Sequence, residues 1–302
     1  MQAEPFRQRL SAWRGRPEAL AGSRYDERMD GSAVQPASFC HWPSWPVPLE
    51  LELEESEEQP CPYLAGRRMR VRGFAGFGMP GPLFQELLDA GFRRSGFIFY
   101  QPTCFGCRAC VPIRVPAGTF RASRSQRRVE RRNADLRIET GEPEPTAEKH
   151  ALYQRYLEAR HDGLMRRDWT GFVDFLYASV VESIEFSYRD ARGRLVGVGL
   201  CDLTASAVSS VYFYSEPDEA RRSLGTFSSL VEIRFAQRTR RSHYYLGYWI
   251  AGSARMAYKD RYQPCETLDA DGVWRRRPAA CSTGGELQAV TAGSPARCDA
   301  AS

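Results

Sequence analysis

Cysteine spacing is the first feature that could support chemistry. The run CFGCRAC places Cys104, Cys107 and Cys110 three residues apart, and CPYL supplies Cys61 from upstream. Four thiolates match the ligand set of a tetrahedral zinc ion or of an iron–sulfur cluster. No second closely spaced pair exists because Cys61 stands alone, so a thiol-rich turn that packs without metal is the alternative. The residues leave both interpretations open.

Arginine clustering is the second such feature. The segment 91–137 contains eleven arginines and two acidic residues, which gives it a formal charge of +9, whereas the whole chain carries +5. Such clustering is typical of a protein that binds a polyanion. Arginine makes up 40 of the 42 basic residues, a bias that genome base composition could also produce. The clustering is therefore more informative than the residue type.

Part of this cluster lies on a predicted helix. Ser123 and Gln126 have the spacing of a capping box and indicate where the helix begins. Five arginines then recur at i, i+3, i+4, i+7 and i+8, which is one helix face: Arg124, Arg127, Arg128, Arg131 and Arg132. The stripe is either a solvated face or a surface for an anion. Like charges one turn apart repel, which favours the anion.

The first half of the chain predicts strands around one short helix. Residues 49–54 (LELELE) and 69–74 (MRVRGF) alternate as half-exposed strands do, and residues 82–90 form an amphipathic pattern ended by Gly91. RRSGFIFYQ predicts a single strand that leads into CFGCRAC, and VPIRV predicts the returning strand. The cysteines are therefore expected at the turn of a hairpin.

The second half predicts helices at about 147–160 and 168–180, followed by the three strands SIEFSYRD, RLVGVGLCDL and AVSSVYFYS. RRSLG then begins a helix, SHYYLGYW predicts another strand, and a short helix is expected around SARMAYK. This order is typical of an acyltransferase domain of the N-acetyltransferase type. The fold class predicted is α/β (α+β), with a smaller N-terminal module that carries the cysteines.

Several motifs together resemble one family. The runs CPYLAGRR, GFRRSGFIFYQPTCFGCRACVPIRV, RSQRRVERRNADL, EPDEARRSLGT and YYLGYWIAGSARMAYKDRYQP occur in this order over residues 59–275. They resemble the bacterial aspartate/glutamate leucyltransferases within the arginyl-tRNA–protein transferase family. The resemblance implies transfer of leucine from leucyl-tRNA to an N-terminal Asp or Glu of an acceptor protein, which marks that protein for N-degron degradation. Transfer from arginyl-tRNA is the alternative donor.

This reaction sets requirements that residues must meet. The donor is an activated ester, so neither ATP nor a cofactor is required, and the protein must orient an α-amine and remove a proton. Asp202, Lys259 and Tyr258 are expected at the reacting groups, with Asp202 matching an acidic position of the family. The acceptor and the terminal adenosine are expected in a cleft formed by Arg93, Arg94, Tyr248 and Trp249. Eukaryotic members of the family use cysteines for a metal or a cluster, which keeps that interpretation of the cysteine run open.

The loop before the last long helix is a predicted phosphate site, since helix N-termini present free N–H groups. It contains Arg221, Arg222, Ser223, Gly225 and Thr226. Coenzyme A acyltransferases have a similar loop, but Phe227 replaces its last small residue and is expected to crowd a pyrophosphate. A coenzyme A N-acetyltransferase and a simple RNA-binding module are the remaining alternatives.

Composition completes these expectations. We expect a disordered extension at 1–38, an N-terminal module at 39–140, the acyltransferase-like domain at 141–277 and a disordered tail at 278–302. No run approaches the ~18 apolar residues of a membrane span, and the N-terminus lacks the apolar segment of a secretory signal. A cytoplasmic protein with no membrane partner is therefore expected.

Overall fold

The computed structural model describes residues 39–42, 49–160 and 168–278 of the 302-residue chain. The predicted extension 1–38 and all of the predicted tail beyond residue 278 lie outside these ranges. Within them, every helix is too short or too polar to cross a membrane.

The first half of the chain forms a four-stranded sheet and two small ribbons. Its strands are β1 (Phe39–Trp42), β2 (Leu49–Glu52), β3 (Glu54–Glu55), β4 (Gln59–Pro60), β5 (Arg68–Met69), β6 (Val71–Ala75), β7 (Arg93–Ser95) and β8 (Ile98–Pro102). The sheet has the antiparallel order β3-β6-β8-β7, while β1 pairs with β2 and β4 with β5. Helix α1 (Gly81–Asp89) buries Leu83, Phe84, Leu87 and Leu88 against this sheet. The predicted helix is confirmed, and Gly91 follows its end with a φ of +84°, which favours glycine.

The predicted cysteine hairpin is wrong. RRSGFIFYQ forms two strands, because the chain reverses at Gly96 and β7 pairs with β8. VPIRV becomes β9 (Val111–Pro116), which leaves the first sheet and pairs with strands of the second half. The cysteines at 104–110 therefore lie in a connection between two sheets. These pairings are long-range, so local alternation could not reveal them.

The main sheet has eight strands. After β9 come β10 (Arg137–Gly141), β11 (Ser183–Arg189), β12 (Leu195–Leu203), β13 (Ala207–Ser215), β14 (His243–Trp249), β15 (Cys265–Leu268) and β16 (Trp274–Arg277). Their order is β10-β11-β12-β13-β14-β9-β15-β16, and β13 and β14 are parallel. All nine residues of β12 are buried, as expected of a strand covered on both faces. The three predicted strands SIEFSYRD, RLVGVGLCDL and AVSSVYFYS are confirmed.

Helices cover both faces of this sheet. They are α2 (Arg124–Arg132), α3 (Ala147–Arg160), α4 (Trp169–Phe172) and α5 (Leu224–Arg238), with short helical turns at Ala117–Thr119, Val173–Tyr177, Pro217–Arg222 and Ala257–Arg261. Helices α2 and α5 pack together, and α5 lies on β13. Helices α3 and α4 bury Leu152, Tyr153 and Phe172 on the opposite face. The second predicted helix is shorter than expected and gives way to a π-helical turn.

Candidate functional site

A cavity of about 560 Å³ lies between the two sheets. Its wall comes from β7, β8, the cysteine connection, β13, α5, β14 and the turn Ala257–Arg261. This volume is within the range of small-molecule and cofactor pockets. Because β9 continues from the cysteine connection into the main sheet, both halves of the chain contribute to one site.

Two consecutive arginines of β7 have different surroundings in this wall. Arg94 donates from Nε and Nη2 to both carboxylate oxygens of Asp202, at 2.8 and 2.6 Å, and its side chain is 3% exposed. Ser183 also donates to Asp202, at 2.8 Å. Arg94 lines the cavity, whereas Asp202 lies behind it and does not. The predicted catalytic aspartate is therefore enclosed in an ion pair.

Arg93 lines the same cavity without an acidic partner. Its Nη1 donates to Ser209 Oγ at 2.8 Å, and Nη2 donates to the carbonyl of Ser210. No carboxylate of the described residues forms an ion pair with it. Gly247, with a φ of +85°, faces this guanidinium so closely that a Cβ there would lie 3.3 Å from Arg93 Nε. A side chain at position 247 would displace the arginine.

Lys259 is a second buried cation in the cavity wall. It lies in the turn Ala257–Arg261 and is 9% exposed. Burial lowers the pKa of Lys259 to about 7, and the nearby Arg93 guanidinium contributes to that lowering. Within the described part of the chain no carboxylate forms an ion pair with it. Lys259 can therefore exchange a proton near neutral pH, which suits acid–base chemistry.

The four cysteines Cys61, Cys104, Cys107 and Cys110 all line the cavity as free thiols. Burial raises the pKa of the Cys110 thiol to about 12, and the neighbouring sulfurs of Cys104 and Cys61 add to this effect. The ranges that the structure describes contain no group of three or more His, Cys, Asp or Glu residues that could hold a metal ion. The zinc or iron–sulfur site suggested by the spacing is thus unsupported, and no reaction step is assigned to it.

The remaining predicted cleft residues divide into two groups. Tyr258 and Tyr248 line the cavity, and Tyr258 is 38% exposed. Tyr248 is buried and donates to the carbonyls of Gly91 and Tyr100, which fixes its ring in the wall. Trp249 does not line the cavity. Its indole donates to Ala257, and the guanidinium of Arg277 stacks 3.7 Å from its ring centre.

The predicted arginine helix is present as α2, with the Ser123–Gln126 capping box formed. All five stripe arginines, at positions 124, 127, 128, 131 and 132, are exposed, and none is paired with a carboxylate of the described chain. At the end of α2, Asn133 is buried and donates to the carbonyls of Val129 and Arg222, at 2.9 Å each. This contact joins the stripe to the loop before α5.

The loop before α5 contributes residues to two cavities, one at the surface and the main one between the sheets. Arg132 donates to the carbonyl of Arg221, and both line an open surface cavity together with Asp135 and Arg222. Arg222 is held by Asp135 and Glu219 in ion pairs of 2.8 and 2.7 Å. Ser223 has a φ of +57° and precedes α5, and Thr226 lies in the first turn of that helix.

Gly225, by contrast, lines the main cavity beside Phe213. The first turn of α5 thus connects the exposed arginines with the buried site. Phe227 is 7% exposed and packs edge-on against Tyr188 in the core. It does not crowd the loop, so the predicted contrast with coenzyme A enzymes cannot depend on this side chain.

Glu232 is a cavity residue that the sequence reasoning missed. It lies on α5 and is 1% exposed, and burial raises the pKa of its carboxyl. An available signal was its position as a lone acid in the apolar run SLVEIRF. Ser228 and Ser229 of the same helix also line the cavity and were not predicted.

Comparisons with known proteins agree in covering both halves of the chain. A profile described as "Arginine-tRNA-protein transferase, N terminus" matches residues 59–128, and one described as "Arginine-tRNA-protein transferase, C terminus" matches residues 148–269. Proteins named aspartate/glutamate leucyltransferase are similar over most of their length. The relative from Rhizorhabdus wittichii is 45% identical over 72% of this chain and 85% of its own. Those from Parvibaculum lavamentivorans and Ruegeria pomeroyi are 40% and 39% identical, over 74% and 76% of this chain and 93% and 85% of their own.

Solved structures show weaker likeness. L-PGS from Bacillus licheniformis is 10% identical with a TM-score of 0.36, over 56% of this chain and 49% of its own. FemX is 10% identical with a TM-score of 0.37, over 54% of this chain and 59% of its own. Scores this low carry no argument about the fold.

Proposed function

The chain belongs to the arginine-tRNA-protein transferase family, and from this premise we propose that it transfers leucine from leucyl-tRNA to an N-terminal Asp or Glu of acceptor proteins. The relatives named aspartate/glutamate leucyltransferase, at 39–45% identity, support leucine as the donor residue. The observation that carries the assignment to the cavity is the pair Arg93 and Lys259, two buried cations without a described acidic partner.

An acidic N-terminal residue supplies the charge that this pair lacks. Burying a cation without a counter-ion is costly, and a carboxylate that enters the cavity removes that cost. We assign the side-chain carboxylate of the acceptor to Arg93, because a guanidinium presents its N–H donors in a planar fork that matches a carboxylate. The α-amine of an Asp or Glu residue then lies a few bonds away, beside Lys259.

The transfer step needs one proton acceptor. The acceptor ammonium loses a proton to neutral Lys259, and the free amine attacks the carbonyl carbon of the leucyl ester. As the bond to the ribose oxygen breaks, that oxygen takes the second proton from the attacking nitrogen, and an amide, deacylated tRNA and protonated Lys259 result. The lowered pKa of Lys259 provides a neutral amine near pH 7. Because the donor ester is already activated, no step uses a metal or a cofactor.

Asp202 acts through Arg94 in this proposal and not on the substrate directly. Its carboxylate is fully engaged by the Arg94 guanidinium and by Ser183. The pair fixes the wall beside Arg93, so we assign Asp202 a positioning role. Tyr258 lies on the same wall as Lys259 and is accessible to the incoming peptide.

The donor tRNA is assigned to the arginine stripe and the loop before α5. The five stripe arginines are exposed, and contacts from Arg132 and Asn133 hold them beside residues 221–222. Phosphates bound there leave the 3′ end at Gly225, on the cavity wall. The order of strands and helices also supports an N-acetyltransferase-like domain preceded by a cysteine-containing module, which we propose as the fold assignment.

Purified protein mixed with peptides beginning in Asp, Glu, Asn or Leu and with leucyl-tRNA tests the function. Mass spectrometry should show one added leucine on the Asp and Glu peptides and none on the others. Arginyl-tRNA in a parallel reaction identifies the alternative donor. Transfer only from arginyl-tRNA would replace the donor assignment, and no transfer from either tRNA would overturn the proposal.

A further inference from the structure

Glu232 is a buried acid that the transfer step above does not use. Its Oε1 accepts from Ser228 at 2.5 Å, and its Oε2 accepts from Tyr244 at 2.6 Å. These donors are neutral, and among the residues in the described ranges no Arg, Lys or His forms an ion pair with this carboxylate. A carboxylate buried with neutral donors alone is costly, and a cation in contact with it offsets that cost.

The position of Glu232 on α5 places it on the path from the loop to the reacting groups. Gly225, Ser228, Ser229 and Glu232 all line the cavity, at i, i+3, i+4 and i+7. They form one polar row about 10 Å long on the helix. The row begins beside the loop assigned to the tRNA phosphates and leads into the cavity.

We infer, on the basis of the proposed function, that Glu232 binds the α-ammonium group of the donor aminoacyl ester. Two amines enter the site, and only one of them must lose its proton. An amine that a carboxylate holds as an ammonium ion cannot attack the ester. The acceptor amine must therefore lie beside Lys259, which takes its proton, and not beside Glu232. The donor ammonium takes no part in bond formation and can remain charged. The cavity then binds the acceptor through its cationic wall and the donor through its acidic wall.

This assignment accounts for the positions of the charged residues on the cavity wall. Among the residues that the structure describes, Arg93 and Lys259 have no acidic partner, Glu232 has no basic partner, and these three cavity residues do not pair with one another. Asp174 is the other acid on the wall, and it is only half-buried, in the turn Val173–Tyr177. Of the two acids, Glu232 is the more deeply buried, so its charged form gains more from a cation bound in the cavity.

Two donors test the inference: leucyl-tRNA and the same tRNA acylated with the leucine analogue whose α-amine is replaced by a hydroxyl. The native protein should prefer leucyl-tRNA in kcat/KM by about 10- to 100-fold, as expected for loss of a charge-assisted contact. Glu232→Gln keeps the shape and should lower kcat/KM for leucyl-tRNA by a similar factor, with little effect on the hydroxy donor. The Glu232→Gln variant should therefore show little preference for leucyl-tRNA over the hydroxy donor. Asp174→Asn is the matched control and should retain it.

Equal losses with both donors in Glu232→Gln, or an unchanged preference, would overturn the inference. A measurement on the native protein covers the case in which the variant does not fold. Non-hydrolysable 3′-leucylamido-adenosine should inhibit transfer at least about 10-fold more strongly than the analogue without its α-amine. Equal inhibition by the two would also overturn the inference. Leucine transfer by the native protein in these assays keeps the proposed function intact whichever result is obtained.

Discussion

The stripe arginines of α2 are exposed to water and the arginines of β7 are buried, and for this reason we assign them different roles. The stripe on α2 is exposed, and water and salt screen its charges. Arg93 and Arg94 are buried, where an unpaired charge is costly. We therefore expect each stripe arginine to contribute only a small part of the affinity for a polyanion. Each buried arginine instead has one specific partner, either within the protein or in the substrate.

Strand geometry separates the two β7 arginines from each other. Consecutive residues of a strand point to opposite faces. Arg94 therefore meets Asp202, whereas Arg93 faces Gly247 and Lys259. The Arg94–Asp202 ion pair is formed within the protein and stabilises it. Arg93 has no carboxylate partner among the described residues, as expected of a residue that binds a substrate.

The largest effect is expected from breaking the complete pair. Asp202→Ala leaves Arg94 buried and unpaired and should lower the free energy of unfolding by about 3–5 kcal/mol. Denaturant titration of both proteins measures this difference. Ser183→Ala, which removes only one hydrogen bond to Asp202, should cost about 1 kcal/mol. A loss below about 1 kcal/mol in Asp202→Ala would show that the pair does not stabilise the wall.

Removing the unpaired arginine should affect activity more than stability. Arg93→Gln should lower kcat/KM for a peptide with N-terminal Asp by about 100-fold, because a buried charge-assisted contact is lost. The N-terminal Asn peptide, which lacks the carboxylate, should remain unreactive with both proteins. Arg192→Gln, in an exposed turn, is the charge-matched control. An unchanged kcat/KM for the Asp peptide in Arg93→Gln would remove Arg93 from acceptor recognition.

The buried Lys259 should lower the free energy of unfolding by an amount that depends on pH. Its pKa falls from 10.5 to about 7 on folding, so between these values the unfolded chain binds more protons and stability rises with pH. Lys259→Met should therefore be more stable than the native protein at pH 7, by about 2 kcal/mol, and this advantage should shrink toward pH 10.

Unfolding free energies of both proteins at pH 7 and pH 9.5 measure the trend. Transfer activity of the variant should be largely lost at pH 7 because the proton acceptor is gone, and it should recover in part at pH 9.5, where an α-amine with a reference pKa of about 8 is already neutral. An advantage that stays constant with pH would contradict the lowered pKa.

The smallest effects are expected on the exposed stripe. Arg127→Gln and Arg131→Gln should each weaken tRNA binding only several-fold and reduce the slope of log affinity against log salt by about 1. Arg192→Gln should change neither quantity. Filter binding of leucyl-tRNA at several salt concentrations gives both values. A 100-fold loss from one stripe arginine would mean that it makes a buried contact like that of Arg93.

Local sequence predicted the elements whose signals are local. The capping box of Ser123 and Gln126, the apolar positions of α1 and the three strands β11–β13 all appeared where expected. The division of RRSGFIFYQ into two strands was missed, because Gly96 was its only turn signal. The partners of β9 were missed because they lie more than 120 residues away in sequence. Glu232 was missed because its neighbours in sequence do not show that α5 lines a cavity.

The sequence alone determined the family of this protein, its arginine helix and most of its strands, since these depend on residue order and on contacts between near neighbours. The tertiary structure decided which charges are completed within the fold and which face an open cavity. Arg93 and Arg94 are adjacent in the chain and identical in chemistry. Their surroundings differ because pairing depends on distance in space, and long-range strand order brings Asp202 to Arg94 and no carboxylate of the described residues to Arg93.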